Sequence, residues 1–200
     1  MNSKNTIITV GIIGVFLAGA ILLVIFFPPP SSTSKKTLST NNALSAYSNP
    51  AYGLSFQYPK KYFLEEKEIG NAIRAHHVLT LTLDSIENKR IREGKIPGRE
   101  IPSYIVIDIY QNSSDRLSAI DWLKKRTDES HFPSGATYTE TVISGVPAFL
   151  YSRAGLRRTE SIAFNSGAWL YSVAVVYNDP KDIIRTDYWD VIVKTLSLKN

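Results

Sequence analysis

From Tyr52 to Tyr58 large apolar residues alternate with small or polar ones: Tyr52, Leu54, Phe56 and Tyr58 against Gly53, Ser55 and Gln57. A period of two puts each set on its own face of an extended chain and predicts a half-buried strand. Pro59 ends the pairing, and Lys60–Lys61 predict a turn that returns Tyr62–Leu64 antiparallel. Next, His77, Leu79, Leu81 and Leu83 alternate with His76, Val78, Thr80 and Thr82. In 101–110, Ile105, Ile107 and Ile109 share a face while Tyr104, Val106 and Tyr110 occupy the other. A strand apolar on both faces belongs inside a sheet covered on both sides.

Two hairpins follow. Residues 138–143 turn at Ser144–Gly145 and return from Val146 to Tyr151; residues 158–164 turn within 165–168 and return from Trp169 to Tyr177. The last of these strands is again apolar on both faces, so a central place is expected.

The period lengthens in two places. At Leu117–Trp122, Ser118 and Asp121 form a capping-box pattern with Asp in the usual Glu or Gln position, and Leu117 and Trp122 stand as a hydrophobic staple. Lys124–Lys125–Arg126 suit the C-terminal end of that helix, expected to finish near Thr127. Tyr188, Val191, Ile192 and Thr195 follow helical spacing, after a break at Asn178–Pro180. The charged stretch 84–100 contains a Pro–Gly break and reads as a long exposed excursion with room for a short helix. Strands dominate and two helices cover them, an α+β arrangement with an antiparallel sheet.

Residues 6–27 carry no charge. As a helix they extend about 33 Å, enough to cross a hydrocarbon core about 30 Å thick. Pro28–Pro30 end the run. It is longer than the apolar region of a cleaved signal peptide, and no A-x-A-like site follows it, so an uncleaved anchor is favoured. Lys4 on one side and Lys35–Lys36 on the other discriminate weakly between orientations; the N-terminus is placed in the cytoplasm and the domain outside. Gly11, Gly14 and Ala18 share a helix face where a second helix could approach, although glycine is common in such helices. The expected organisation is a tail at 1–5, a transmembrane signal anchor at 6–27, a Pro/Ser/Thr-rich flexible linker at 28–46 and a globular domain at 47–200. Such a linker spans roughly 20–25 Å as flexible coil, which keeps the domain near the bilayer.

Composition narrows the chemistry. The absence of cysteine removes disulfides, thiolate metal sites, a cysteine nucleophile and a lipidated cysteine. A net charge of +5 is mild and interspersed, which argues against nucleic acid as a partner. Adjacent His76 and His77 face opposite sides of a strand and cannot chelate one ion together. His131 sits beside Phe132–Pro133 without a recognisable partner. No zinc-protease, nucleophile-elbow, phosphate-loop or dinucleotide motif occurs. Asp84, Glu87 and Glu93 are interleaved with Lys89, Arg90 and Arg92, as on a charge-compensated surface. Arg153, Arg157 and Arg158 form a small basic cluster, a candidate contact for an acidic partner or lipid headgroups against the alternative of a solvated loop.

Four motifs in order carry a resemblance. They are Tyr52-Gly53-Leu-Ser55-Phe56-Gln-Tyr58-Pro59, the helix start Leu117-Ser118 to Trp122, the hairpin Ile143-Ser-Gly145-Val146-Pro147-Ala148, and the helix Tyr188 to Leu196. Together they resemble the PsbP-like proteins, relatives of the extrinsic subunit of photosystem II, over residues 47–200. The resemblance implies an α/β/α sandwich around an antiparallel sheet and a binding or assembly role in place of catalysis. It does not imply photosynthesis: an anchor and linker stand where the plant-type docking segment would be. Tyr62 stands where relatives often carry Trp, and no metal site or cofactor carries over. The expected partners are the lipid bilayer, through residues 6–27, and another envelope or membrane protein. The alternatives are a small-ligand or lipid carrier, which needs an enclosed apolar cavity, and a hydrolase that uses carboxylates and His131.

Overall fold

The computed structural model describes residues 43–71, 74–96, 101–114, 116–125 and 137–199. The expected anchor, most of the linker, His131 and the end of the helix at Thr127 lie outside the described residues. Among the described residues no helix is long and apolar enough to cross a membrane.

Among the described residues ten strands form two antiparallel sheets. The small sheet runs β1 (Leu44–Asn49), β2 (Leu54–Pro59) and β10 (Ser197–Leu198), with β2 in the middle. The large one has seven strands in the order β3 (Tyr62–Asn71), β4 (Arg74–Leu83), β5 (Tyr104–Gln111), β9 (Trp169–Tyr177), β8 (Arg158–Ser166), β7 (Val146–Arg153), β6 (Thr139–Ile143). Among the described residues the helices are α1 (Ile86–Arg92), α2 (Ala119–Lys125) and α3 (Ile183–Asp187), the last continuing into a π-helical turn at Tyr188–Val193.

The expected double-sided burial is observed for β9, whereas β5 is buried on one face and, on the other, only at Tyr110. Strand β9 is the middle of the seven, flanked by β5 and β8, and is buried along nearly its whole length. One face carries Leu79, Leu81, Ile105, Ile107, Val173 and Val175, covered by α3, the π turn and the small sheet through Ile184, Tyr188, Ile192 and Phe56. The opposite face is covered by α2 around Tyr110, Tyr151, Ala163 and Leu170, with Trp122 and Leu123 inserted. Ser118 caps α2 as its spacing predicts: its Oγ accepts from Asp121 N at 3.1 Å and donates to Asp121 Oδ2 at 2.7 Å.

Three expectations are corrected. The hairpin from 52–58 to 62–64 does not form. Strand β2 pairs with β1 and β10, and β3 pairs with β4 over the register Tyr62↔Leu83 to Asn71↔Arg74. Tyr62 is drawn into the core at 4% exposure, where its hydroxyl donates to Asp187 Oδ2 at 2.6 Å, so the chain turns from one sheet into the other at Lys60–Lys61. Sheet pairing also begins at Leu44, ahead of the boundary expected at Tyr47, because Leu44–Asn49 find a complete partner in β2. The excursion 84–100 holds the short helix it was expected to have room for, α1, capped by Ser85, whose Oγ accepts from Asn88 N at 3.1 Å; with it, three helices are seen among the described residues where two were expected to cover the sheet. Finally, the C-terminal helix follows the expected break and starts at Ile183, but the apolar face expected to include Thr195 is composed differently. Its inward residues are Ile184, Tyr188, Ile192 and Leu196, and Thr195 leaves the apolar face: its hydroxyl donates to Val191 O at 2.7 Å and accepts from Gln57 N at 2.9 Å.

Candidate functional site

Strand alternation leaves a stripe of small and polar residues on the large-sheet face that bears α2. Registers Asp108↔Ser172 and Val106↔Ala174 join β5 to β9; Ala174↔Ser161 and Val176↔Thr159 join β9 to β8; Ser161↔Tyr151 and Thr159↔Arg153 join β8 to β7. Because side chains two apart share a face, these residues form one floor. It is an open trough of about 340 Å³, with Tyr104 and Tyr151 among its walls and Arg153 at the rim.

The floor is hydrogen-bonded. Tyr151 is 6% exposed; burial pushes its hydroxyl up from the ordinary tyrosine value, against hydrogen bonds from Ser172 and Ser161. At one edge His76 Nε2 lies 2.7 Å from Asp108 Oδ1, and the imidazole stacks on Tyr110 with ring centres 4.1 Å apart. The trough therefore offers a carboxylate–imidazole pair, hydroxyls and one rim cation around a floor of small and polar residues, suited to holding a polar segment in a fixed orientation.

The two adjacent histidines separate as strand geometry requires. His77 lies on the other face, stacked on Tyr52 at 4.6 Å, with Trp169 edge-on to Tyr52 at 4.9 Å. It is 6% exposed, and neither ring nitrogen has a hydrogen-bond partner; Glu66 Oε2 stands 3.5 Å from Nε2. Among the described residues no three His, Cys, Asp or Glu side chains converge as a metal site.

The three arginines are not gathered on one face. Arg153 borders the trough. Arg157 is committed locally: Nη2 donates to Pro102 O at 2.9 Å, Nε donates to Asn178 Oδ1 at 3.2 Å, and the guanidinium lies 5.2 Å over Tyr104. Arg158 opposes Tyr177 and so falls on the other side of the sheet from Arg153 and Thr159. The acids of the excursion are compensated: Asp84 pairs with Arg92 at 3.2 Å and Glu93 with Lys95 at 2.7 Å, and the lysine beside Glu93 holds its carboxyl below the ordinary value.

The site residues that sequence reasoning passed over are Asp108, Tyr151, Ser161 and Ser172. One signal was present. Asp108 is the single charge inside Tyr104–Tyr110, where an ionisable group in a central strand needs a partner. Ser161 and Ser172 had no signal of their own, because their meeting depends on register.

No family model matches the sequence, and no curated protein matches it. The fold is similar to the solution structure of cyanobacterial PsbP (CyanoP) from Synechocystis sp. PCC 6803. That match covers 79% of this chain and 94% of the other at 13% identity, with a TM-score of 0.50. LpqN, involved in cell envelope biogenesis of Mycobacterium tuberculosis, matches at 10% identity and a TM-score of 0.39, covering 80% of this chain and 94% of its own. At 13% identity the likeness to CyanoP is one of fold.

Proposed function

From the PsbP-like fold we propose that this chain is a membrane-tethered, extracytoplasmic module that binds or helps assemble another envelope protein without bond-making of its own. The observation that carries the reading is the open trough, a polar floor on a rigid central sheet with a single cation at its rim. An uncharged run at 6–27, long enough to cross a bilayer, supplies the tether.

Two measurements test it. After a high-salt and carbonate wash the full chain stays with membranes, and a chain beginning at Ala43 is released; release of the full chain overturns the tether. A photoreactive side chain at Arg153 captures a discrete membrane-protein adduct that the same probe at Val142 does not. Absence of an adduct, or equal capture at both positions, overturns the binding role.

The carrier alternative needs an enclosed apolar cavity, whereas the trough is open and polar-floored. The hydrolase alternative was expected to use His131, which lies outside the described residues; within them it would draw instead on the His76–Asp108 pair, with Ser172 opposite Asp108 in the ladder. Ester hydrolysis by the purified chain that disappears on His76→Gln would favour it over the binding reading.

A further inference from the structure

The large sheet has two ends with different surfaces. At one end lie the start of β3 and the end of β4 (Tyr62↔Leu83), the start of β5 and the end of β9 (Tyr104↔Val176), and the β7–β8 connection (Arg153↔Thr159). The chain enters the domain at this same end, where Ala43 O accepts from Lys60 N at 2.9 Å beside the Lys60–Lys61 turn.

Exposed large hydrophobics concentrate there. Leu44, Phe63, Ile86, Ile101, Leu156 and Ile183 stand at this end, on three separate connections and two strand starts; of the exposed large hydrophobics described, only Ile69 and Val142 lie elsewhere. Leu156 is fully exposed at 105%, Ile86 is 84% exposed and Ile101 63%. They do not form one apolar patch of the kind that marks a protein interface. They are single tips separated by exposed cations, including Lys60, Arg90, Arg153, Arg158 and Lys181. The acids of this end are Asp84, Glu87, Glu93, Asp179 and Asp182. Asp84 and Glu93 are paired with Arg92 and Lys95, Asp182 caps α3, and Asp179 Oδ1 accepts from Lys181 N. Glu87, Asp179 and Asp182 keep their charges, but Lys60, Lys89, Arg90, Arg153, Arg158 and Lys181 outnumber them, so a net basic excess remains at this end. The opposite end is built from tight turns, among them Ser144–Gly145 and Gly167–Ala168.

We infer that this end of the domain rests on an anionic lipid surface, with Leu156 as its main insertion point. Isolated apolar tips flanked by arginine suit a bilayer interface: the tip enters the headgroup region, and the flanking cations reach phosphates. Arg157 holds the β7–β8 connection against Pro102 and so presents Leu156 together with Ile101. The inference rests on the tether reading, because a chain that leaves the bilayer and enters the domain at Ala43 brings this end nearest to the membrane. In the docked state the trough, whose rim residue Arg153 lies at this end, opens close to the bilayer surface.

The chain has no cysteine, so single-site probes need no background removal. The full chain is placed in nanodiscs of equal parts phosphatidylcholine and phosphatidylglycerol, with a nitroxide at position 156 (Leu156→Cys) or, as control, at position 142 (Val142→Cys). The nitroxide at 156 is expected to be more accessible to oxygen than to a water-soluble nickel chelate, and the one at 142 the reverse. Pure phosphatidylcholine, added salt, or Arg153→Glu with Arg158→Glu reduces the lipid signature at 156, by about fivefold in docked population for each basic side chain lost. A position-156 probe equally wet in both lipids overturns the inference while leaving the tether intact. A probe ordered only when other membrane proteins are present overturns it too, in favour of a protein contact. Failure of the chain to enter nanodiscs sinks the tether and this inference with it.

Discussion

Gly53 shows how one residue's freedom serves the fold. Its φ is +63°, and a Cβ there would stand 2.4 Å from Lys199 O, while Lys199 N donates to Gly53 O at 2.7 Å. The β1–β2 turn and the C-terminal strand thus meet through bare backbone. Gly53→Ala forces either a strained φ or loss of β10, and is expected to cost about 1–3 kcal/mol in urea denaturation. Glu160 is the second such residue. Its carboxylate accepts from Arg185 Nε at 2.7 Å, from the Tyr177 hydroxyl at 2.5 Å and from Trp189 Nε1 at 2.5 Å. Burial pushes its pKa up, but the hydrogen bonds from Arg185, Tyr177 and Trp189 outweigh that and hold it below the ordinary carboxylate value. A depressed folded-state pKa contributes stability above the unfolded value and loses it as pH falls through the folded one. Glu160→Gln is expected to cost about 1–2 kcal/mol at neutral pH. Its deficit against the parent chain should shrink as denaturation curves are taken below the ordinary carboxylate range; a deficit constant down to strong acid would contradict the charged-acceptor role.

Elements were legible where local spacing was enough. The Ser144–Gly145 turn, with φ of +49° and +82°, joins β6 to β7 in the two-residue loop that alternation on both sides predicts. The capping box of α2 formed for the same reason, since its partners are three residues apart. Trp122, 3% exposed, fastens α2 to the sheet against Tyr110, at 5.3 Å between ring centres. Trp122→Ala should cost about 3–5 kcal/mol, read as a lowered thermal midpoint. The C-terminal helix was less legible. Its inward positions are spaced by four, which drifts about 40° per step around an α-helix, and the wider π turn at Tyr188–Val193 brings the stripe back to the sheet. That correction exists only because Tyr188 is held in place, its hydroxyl donating to Val173 O at 2.8 Å.

At the scale of the molecule, the fold assigns roles to surfaces that no single strand announces. One sheet face is sealed by α3, the π turn and the small sheet; on the other, among the described residues, α2 covers one end and the trough lies beyond it. His76 and His77 thereby fall into different environments, one beside Asp108 in the trough and one beneath Tyr52. The same topology collects Leu156, Ile101 and Ile86 at the end where the chain enters. If that end faces lipid, its backbone amides in 154–157 should exchange more slowly in anionic nanodiscs than in detergent, and those of Gly167–Ala168 should not.

Alternation and capping, which act between neighbours in the chain, determined the strands, the start of α2 and the central places of β5 and β9, because a strand apolar on both faces has nowhere else to go. Only the tertiary structure decided that β2 and β3 belong to different sheets, that Asp108 meets His76, and that three arginines close in sequence point to different sides. Those outcomes rest on cross-strand register and on which groups bury together, quantities set by residues as far apart as Tyr62 and Asp187.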